Sequence, residues 1–388
     1  MRSARIRGLA LSLIGVAMAL GAPVSAQDPG AAAPPKPAAA PGPLPPVPAE
    51  SPPPFGANRG RERASLHWQR PDAQTRAEWK AKWSLPLLQA ALDGDLDGVR
   101  HELDSGADVN QKTPEKLTAL HAAAYGGHTP IVVLLLDRGA EIDAADEQGM
   151  TPLHLATLQN RIDIVKLLLS RNAARSPKSE GDMTPLHMAT RDGDVAVALA
   201  LIAAGAETNG RGFRHWEPIH FAVRTGSVTM VEQLLDHGAK IDAPGHNGWR
   251  ALHFAVQGGQ LEIAKLLIAR GADVNAQATT GLTPLHVASQ EDRPDMAQLL
   301  IAHGATVDVK AKASGSTALH IAAGLGKPAV ARVLLEHGAS LTVKDNDGKT
   351  PIDLSQRPVR SEERARALAE VHEILLAYAS KPSTPPKR

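Results

Sequence analysis

Cysteine is absent from the 388 residues, which excludes disulfide bonds, thiolate metal ligands and a cysteine nucleophile. An excess of charge of one sign is lacking too: the formal net charge is +1. Such balance gives no general argument for nucleic acid or an anionic membrane as a partner. Long apolar runs are missing beyond the first residues, since stretches such as Ile131 to Leu136 are the size of a helix core. We expect no nucleic-acid partner and no membrane segment in the mature chain.

Catalytic and metal-binding patterns are also lacking. No H-E-x-x-H, G-x-S-x-G or calcium-loop motif occurs. The segment Ala323-Gly324-Leu325-Gly326-Lys327 resembles a phosphate-binding loop only faintly, because its first glycine is missing and Pro328 replaces the Ser/Thr. The sequence therefore predicts a protein that is not an enzyme and has no cofactor and no metal site.

Residues 1–26 have the pattern of a secretory signal peptide. Three arginines among the first seven residues precede an uncharged apolar run from Leu9 to Leu20, and Val24-Ser25-Ala26 offers a small-residue cleavage site. The run is too short to span a bilayer comfortably. We expect a periplasmic or secreted protein, and the absence of Asn-x-Ser/Thr sequons favours a bacterial periplasm. Cleavage would leave 39 Lys+Arg against 41 Asp+Glu, a net charge of −2.

The segments that flank the central region differ from it in composition. Residues 27–60 contain 12 of the 30 prolines and are predicted to be a disordered Pro/Ala-rich linker. Residues 61–84 include Thr75-Arg76-Ala77-Glu78, a capping-box pattern that predicts an N-terminal helical extension. Residues 381–388 are predicted to be a disordered tail.

A short element of the form T-P-L-H repeats between these segments. Its histidine recurs in steps of 33 residues, with one step of 34, at positions 121, 154, 187, 220, 253, 286 and 320. Counting one step outward at each end gives about nine units over residues 85–380. The threonine is a good helix N-cap, and proline at the first helical position loses no hydrogen bond. Each unit is thus predicted to hold two helices joined by a Gly-containing turn, followed by a short extended finger.

This period resembles the ankyrin repeat, as do the T-P-L-H starts and endings such as Ala272-Asp273-Val274-Asn275. The resemblance covers residues 85–380 and implies an all-α solenoid with a β-hairpin-like finger in each unit. The first unit lacks Thr and His, and the last breaks at Pro358 before a longer helix. These end units are interpreted as solvated caps. In the final helix an apolar stripe is expected from Leu368, Val371, Leu375 and Tyr378.

The recurring histidines invite a metal or acid–base hypothesis. Ligands must converge within about 2 Å of one ion, whereas equivalent residues of packed units lie about 10 Å apart. The resemblance implies instead that each imidazole hydrogen-bonds near its helix start and bridges to the adjoining finger.

The resemblance also implies that a protein partner binds a concave face built from finger tips and first helices. The residue before each Thr position lies at the finger base on that face, and six consecutive ones are large and apolar: Leu117, Met150, Met183, Trp216, Trp249 and Leu282. Such a stripe is either an exposed binding surface or packing between neighbouring fingers. On the first interpretation, replacing both tryptophans by alanine abolishes partner capture and leaves the fold intact.

Departures from the repeat favour a binding surface near residues 210–225. Phe213 and Arg214 lie on one finger, Glu217 replaces the usual Thr, and Arg224 is expected to face the same groove. His246 occupies the next finger tip. The predicted partner-binding residues are Met150, Met183, Phe213, Arg214, Trp216, Arg224, His246, Trp249 and Leu282.

One further junction departs from the repeat at Asn172, Arg175 and Asp182. This departure indicates either a locally loosened stack or a reshaped finger.

The sequence thus predicts a monomeric, non-catalytic interaction protein. The alternatives are an inhibitor or immunity-type protein, an effector delivered to a host cell, a hydrolase with an unrecognised site, and a structural bridge between envelope layers.

Overall fold

The computed structural model describes residues 85–380. The predicted signal peptide (1–26), linker (27–60), helical extension (61–84) and tail (381–388) lie outside the described residues. In the described part the backbone forms helices and turns and contains no β-strand. Eighteen α-helices follow one another as nine pairs: α1 Pro86–Asp93, α2 Leu96–Asp104, α3 Ala119–Gly126, α4 Thr129–Asp137, α5 Pro152–Leu158, α6 Ile162–Ser170, α7 Pro185–Asp192, α8 Val195–Ala203, α9 Pro218–Thr225, α10 Val228–Asp236, α11 Ala251–Gln257, α12 Leu261–Ala269, α13 Pro284–Gln290, α14 Pro294–Ala302, α15 Ala318–Leu325, α16 Pro328–Glu336, α17 Pro351–Ser355 and α18 Glu362–Ala379.

The helices pack in two rows. Each first helix of a pair contacts the first helices of the neighbouring pairs, and each second helix contacts its own partner and the neighbouring second helices. The leucine of the T-P-L-H element is fully buried in this stack, as Leu153 and Leu186 illustrate. Second helices add apolar side chains such as Ile164 and Leu168. The core is therefore a continuous layer shared between neighbours, as a repeat architecture requires.

Threonine starts most first helices for a local reason. Thr118, Thr184 and Thr317 have extended backbone dihedrals, and their hydroxyls accept a hydrogen bond from the backbone N–H three residues on. This bond satisfies one of the amides that a helix start leaves without a partner. The predicted helix starts are confirmed at these positions.

Eight fingers connect the pairs, and we number them in chain order: 107–117, 140–150, 173–183, 206–216, 239–249, 272–282, 305–316 and 339–349. Most are closed by a five-residue turn; in finger five the Gly245 N–H donates to the Trp249 carbonyl at 2.8 Å. Three fingers contain a short 3-10 turn, at Glu180–Asp182, Phe213–His215 and His246–Gly248. The predicted hairpin-like shape therefore arises from turns, without paired strands in the described chain.

Finger three keeps the repeat geometry despite its unusual sequence. Asn172 takes the left-handed conformation (φ 66°) that glycine adopts after other second helices. The Ser179 N–H donates to the Met183 carbonyl at 2.9 Å, which closes the finger turn. A locally loosened stack was one of the two alternatives for this junction, and these bonds do not indicate it.

The last pair differs from the others as predicted for an end unit. Helix α17 has 5 residues, whereas α18 has 18 residues. Leu368, Val371 and Leu375 are buried along one side of α18, and Tyr378 is half-buried. The predicted apolar stripe is confirmed. No helix among residues 85–380 is long and apolar enough to cross a membrane.

Candidate functional site

The seven histidines of the T-P-L-H elements join neighbouring repeats. In His121 the Nδ1 atom accepts the Thr118 backbone N–H at 3.2 Å, and Nε2 lies 3.0 Å from the Met150 carbonyl of the next finger. His154 and His253 repeat this arrangement toward Met183 and Leu282. Because Nδ1 accepts an amide proton, the ring must be neutral with its proton on Nε2, which donates to the carbonyl. The predicted bridging role is confirmed.

Burial opposes protonation of these rings. Removal from water lowers the pKa to about 4 in each of six of them: His121, His154, His187, His220, His253 and His286. The pKa of His320 is lowered for the same reason. Hydrogen bonds to backbone carbonyls raise the pKa of these rings, but the lowering by burial is larger. Among residues 85–380 no cluster of three or more His, Asp or Glu side chains is arranged to hold a metal ion.

The expected exposed stripe at the finger bases is corrected by the structure. Met150, Met183, Trp216 and Trp249 are only 1%, 2%, 7% and 4% exposed. Each is covered because adjacent fingers and first helices close over it, which is the packing alternative. Leu282 is half-buried. These four side chains therefore lie within the stack, and a double tryptophan-to-alanine variant is no longer expected to keep the fold intact.

The two tryptophans are held by two phenylalanines that the sequence reasoning missed. The ring centroid of Trp216 lies 4.9 Å from that of Phe221 and 5.0 Å from that of Phe254. Phe254 also packs on Trp249 at 5.3 Å. Tilted and edge-on rings at these separations attract one another beyond their area of contact. The signal was available, because Phe221 and Phe254 follow the histidine in the two units that carry tryptophan.

Finger four, which ends at Trp216, exposes three charged or aromatic side chains. Phe213 is 41% exposed, and Arg211 and Arg214 are exposed beside it. The Arg214 guanidinium carbon lies 5.4 Å from the centre of the Phe213 ring. Arg211 faces the buried Glu217, with Nε and Oε1 separated by 3.9 Å.

The remaining predicted residues lie at the edge of the same region. Arg224 is half-buried, and its guanidinium carbon lies 5.0 Å from the centre of the Trp216 ring, within the range of a cation–π contact. His246 is half-buried in the 3-10 turn of finger five. The structure thus places Phe213, Arg214, Trp216 and Arg224 within one unit, whereas Met150 lies two fingers away.

Comparison with known families agrees with this architecture. The sequence profile of ankyrin repeats, three copies long, matches residues 87–178, 186–278, 252–345 and 286–372. These matches cover well over half of the chain, and the helix pairs and fingers follow the same period. The protein belongs to the ankyrin repeat family, whose members generally mediate protein–protein interaction and are typically non-catalytic.

Curated relatives match over a short stretch only. The Notch-regulated ankyrin repeat-containing protein of Xenopus tropicalis is 43% identical over 49 residues, which is 13% of this chain and 43% of the relative. A Danio rerio protein of the same description, form A, is 43% identical, and the Homo sapiens protein is 41% identical, each over 49 residues. The chain spans less than half the length of these relatives.

Proposed function

We propose that this protein is a non-catalytic adaptor that binds another protein through the face formed by finger four and the adjoining first helix, α9. The observation that carries the proposal is the exposure of Phe213 beside Arg211 and Arg214, on the finger that ends at the buried Trp216. Exposed aromatic and guanidinium groups together have the composition of an interface core. We propose that the protein acts as a monomer and does not bind nucleic acid.

The rigid support beneath finger four favours this face. Trp216 follows the finger tip directly and is packed against Phe221 and Phe254. The tip side chains therefore start from a fixed backbone, and a partner does not have to order them before contact. Binding to a preorganised surface costs less conformational entropy.

Affinity capture with matched variants tests the interaction. Full-length protein is immobilised, exposed to lysate of the cells that produce it, and the retained proteins are identified by mass spectrometry. We expect Phe213→Asp to lose a partner that the wild type retains. Leu376→Asp serves as the control, because Leu376 is 47% exposed on α18, far along the chain. Equal retention by the wild type and both variants contradicts the proposal.

The proposed location is the periplasm or the extracellular space, on the strength of residues 1–26 alone. We expect protein produced with these residues in a bacterial host to reach the periplasmic fraction with Gln27 as its N-terminus. A variant lacking residues 2–26 should remain in the cytoplasm. Mass spectrometry of the intact protein from each fraction checks this, and full-length protein that keeps Met1 contradicts it.

A further inference from the structure

The tip of finger four holds Arg214 in a backbone conformation that its side chain does not favour. Arg214 and His215 both have φ of 58°, in the left-handed region. Most side chains with a Cβ atom are disfavoured there, and the residues that usually fill such positions are glycine, asparagine, aspartate and histidine, so arginine is the exception. We call Arg211, Phe213, Arg214 and His215 the finger-four tip.

Neighbouring fingers make the same turn with the residues that the conformation favours. In finger five the equivalent positions are Asn247 (φ 57°) and Gly248 (φ 72°), and finger three uses Gly181 before Asp182. Within residues 85–380, finger four alone makes both left-handed steps with neither glycine nor asparagine. The requirements of the turn therefore do not explain Arg214, whereas Lys116 (φ 64°) in finger one shows that a residue other than glycine or asparagine is tolerated at the position of His215.

The contacts between fingers do not explain these residues either. Backbone hydrogen bonds join neighbouring tips elsewhere: Glu180 N–H donates to the Gln148 carbonyl, and Thr279 N–H donates to the Asn247 carbonyl. Among the described residues, no backbone hydrogen bond of this kind joins the finger-four tip to finger three or finger five. A strained backbone that its neighbours do not impose points to a role for the side chains it presents.

Two of those side chains, Arg211 and Arg214, form a small cationic surface beside the Phe213 ring. The Arg211 side chain is 60% exposed, and Arg214 and His215 are exposed. The carboxylate nearest to Arg211 belongs to Glu217, whose side chain is only 4% exposed. Glu207 is the only acidic residue within finger four, and it lies at the start of the finger. The exposed end of the finger therefore presents guanidinium groups and Phe213 to a partner.

We propose that the finger-four tip binds an acidic segment of a protein partner, with Arg211 and Arg214 pairing with its carboxylates and Phe213 packing against an apolar side chain between them. This inference rests on the proposed function and adds the chemistry of the partner. Guanidinium groups recognise carboxylates through paired, charge-assisted hydrogen bonds. A polyanion such as nucleic acid suits the surface less well, because two arginines around one phenylalanine provide no extended basic track.

A random 12-residue peptide library displayed on phage, selected on the full-length protein, tests the proposal. We expect the enriched peptides to carry Asp or Glu on both sides of an aromatic or aliphatic residue. The most enriched peptide is then synthesised with a fluorescent label, and its Kd is measured by anisotropy. Arg214→Glu should weaken binding at least about tenfold, whereas Lys344→Glu, the same charge change on exposed finger eight, should leave the Kd unchanged.

A glycine variant separates binding from folding. Replacing Arg214 and His215 together by glycine relieves the left-handed strain, so the melting temperature should stay the same or rise. Binding of the selected peptide should nevertheless fall at least about tenfold. A merely structural role for these residues predicts the reverse: a lower melting temperature with peptide binding retained.

Three outcomes of the peptide selection and its nucleic-acid control overturn the proposal. The first is a selection that yields no peptide dependent on Arg214. The second is a set of peptides whose binding depends on Arg214 but which carry no acidic residues. The third is a labelled single-stranded DNA 20-mer that binds as tightly as the peptide with the same dependence on Arg214. If the captured partner binds Arg214→Glu as well as wild type, only this inference fails; if the wild type captures no partner at all, the proposed function fails.

Discussion

Phe213 and Trp216 are three residues apart on one finger and have opposite environments. Phe213 is 41% exposed, whereas Trp216 is 7% exposed and packs against Phe221 and Phe254. The first can contact a partner without changing the fold. The second holds the finger on the stack, so its removal leaves a cavity among aromatic rings.

We predict that Trp216→Ala lowers the free energy of unfolding by about 3–5 kcal/mol, because a large buried ring is lost. Phe213→Ala should change it by less than about 0.5 kcal/mol, since it is a surface substitution. Urea denaturation followed by circular dichroism measures both. Trp216→Phe is the control, because it keeps a ring and removes an indole N–H that has no hydrogen-bond partner. It should therefore retain most of the stability that Trp216→Ala loses. Equal losses for Trp216→Ala and Phe213→Ala contradict this account.

At the scale of the element, the start of helix α9 departs from the repeat. Glu217 stands where most other first helices have threonine, and it is 3% exposed. Its Oε2 atom is buried without a hydrogen-bond partner, and burial raises the pKa of this carboxyl. The Arg211 guanidinium, 3.9 Å away, offsets the effect of burial only in part, so this charge destabilises the folded state at neutral pH.

The Glu217 side chain is itself part of a capping box at the start of α9. We therefore predict that Glu217→Thr, which keeps a capping side chain and removes the buried charge, stabilises the protein by about 1 kcal/mol. Thr184→Ala, at the same position of helix α7, should destabilise it by about 0.5–2 kcal/mol. The gain from Glu217→Thr should shrink as the pH falls toward the ordinary carboxyl range, because protonation removes the buried charge in the wild type. Thermal melts at pH 7.5 and 5 measure the difference; a loss of stability at both pH values would refute the prediction.

The sequence predicted the helices but could not decide whether the finger-base residues are exposed or packed, and the difference has one physical reason. A helix start is decided within a few residues, as at Thr184 and Pro185, so local chemistry identifies it. The exposure of Met183 or Trp216 depends on how the next finger folds over it, which is a contact between residues about one repeat apart. The left-handed backbone at Arg214 was missed for a different reason: arginine has no local preference for this conformation, so its sequence gives no sign of it.

At the scale of the whole molecule, the histidine bridges make stability depend on pH. Their native pKa of about 4 lies below the ordinary value of 6.5. The unfolded chain therefore binds protons below pH 6.5 that the folded chain does not bind. Their stabilising effect is complete above pH 6.5 and falls as the pH drops toward 4, by up to about 1.4 kcal/mol per pH unit for each histidine.

We predict a steep loss of stability between pH 6.5 and 4.5, measured as the urea midpoint at each pH. Asp146, whose pKa is raised to about 6 by burial, opposes this trend together with Glu217 and Glu291, whose pKa values are also raised. The more numerous histidines should outweigh these three carboxyls. His253→Gln should reduce the slope of the free energy of unfolding against pH by the contribution of one proton. His303→Gln replaces an exposed histidine and should leave that slope unchanged. A flat profile over this range contradicts the proposed role of the histidines in stability.

The central claim is that the surface of finger four, above its buried aromatic cluster, meets the partner. Site-specific photo-crosslinking in the producing cells tests it most directly, with benzoylphenylalanine in place of Phe213 in one variant and of Leu376 in the other. Both original side chains are exposed, at 41% and 47%, so access of the probe to solvent is matched. We predict a discrete covalent adduct with another protein from position 213 and none from position 376. No adduct at 213, or the same adduct from both positions, would contradict the account.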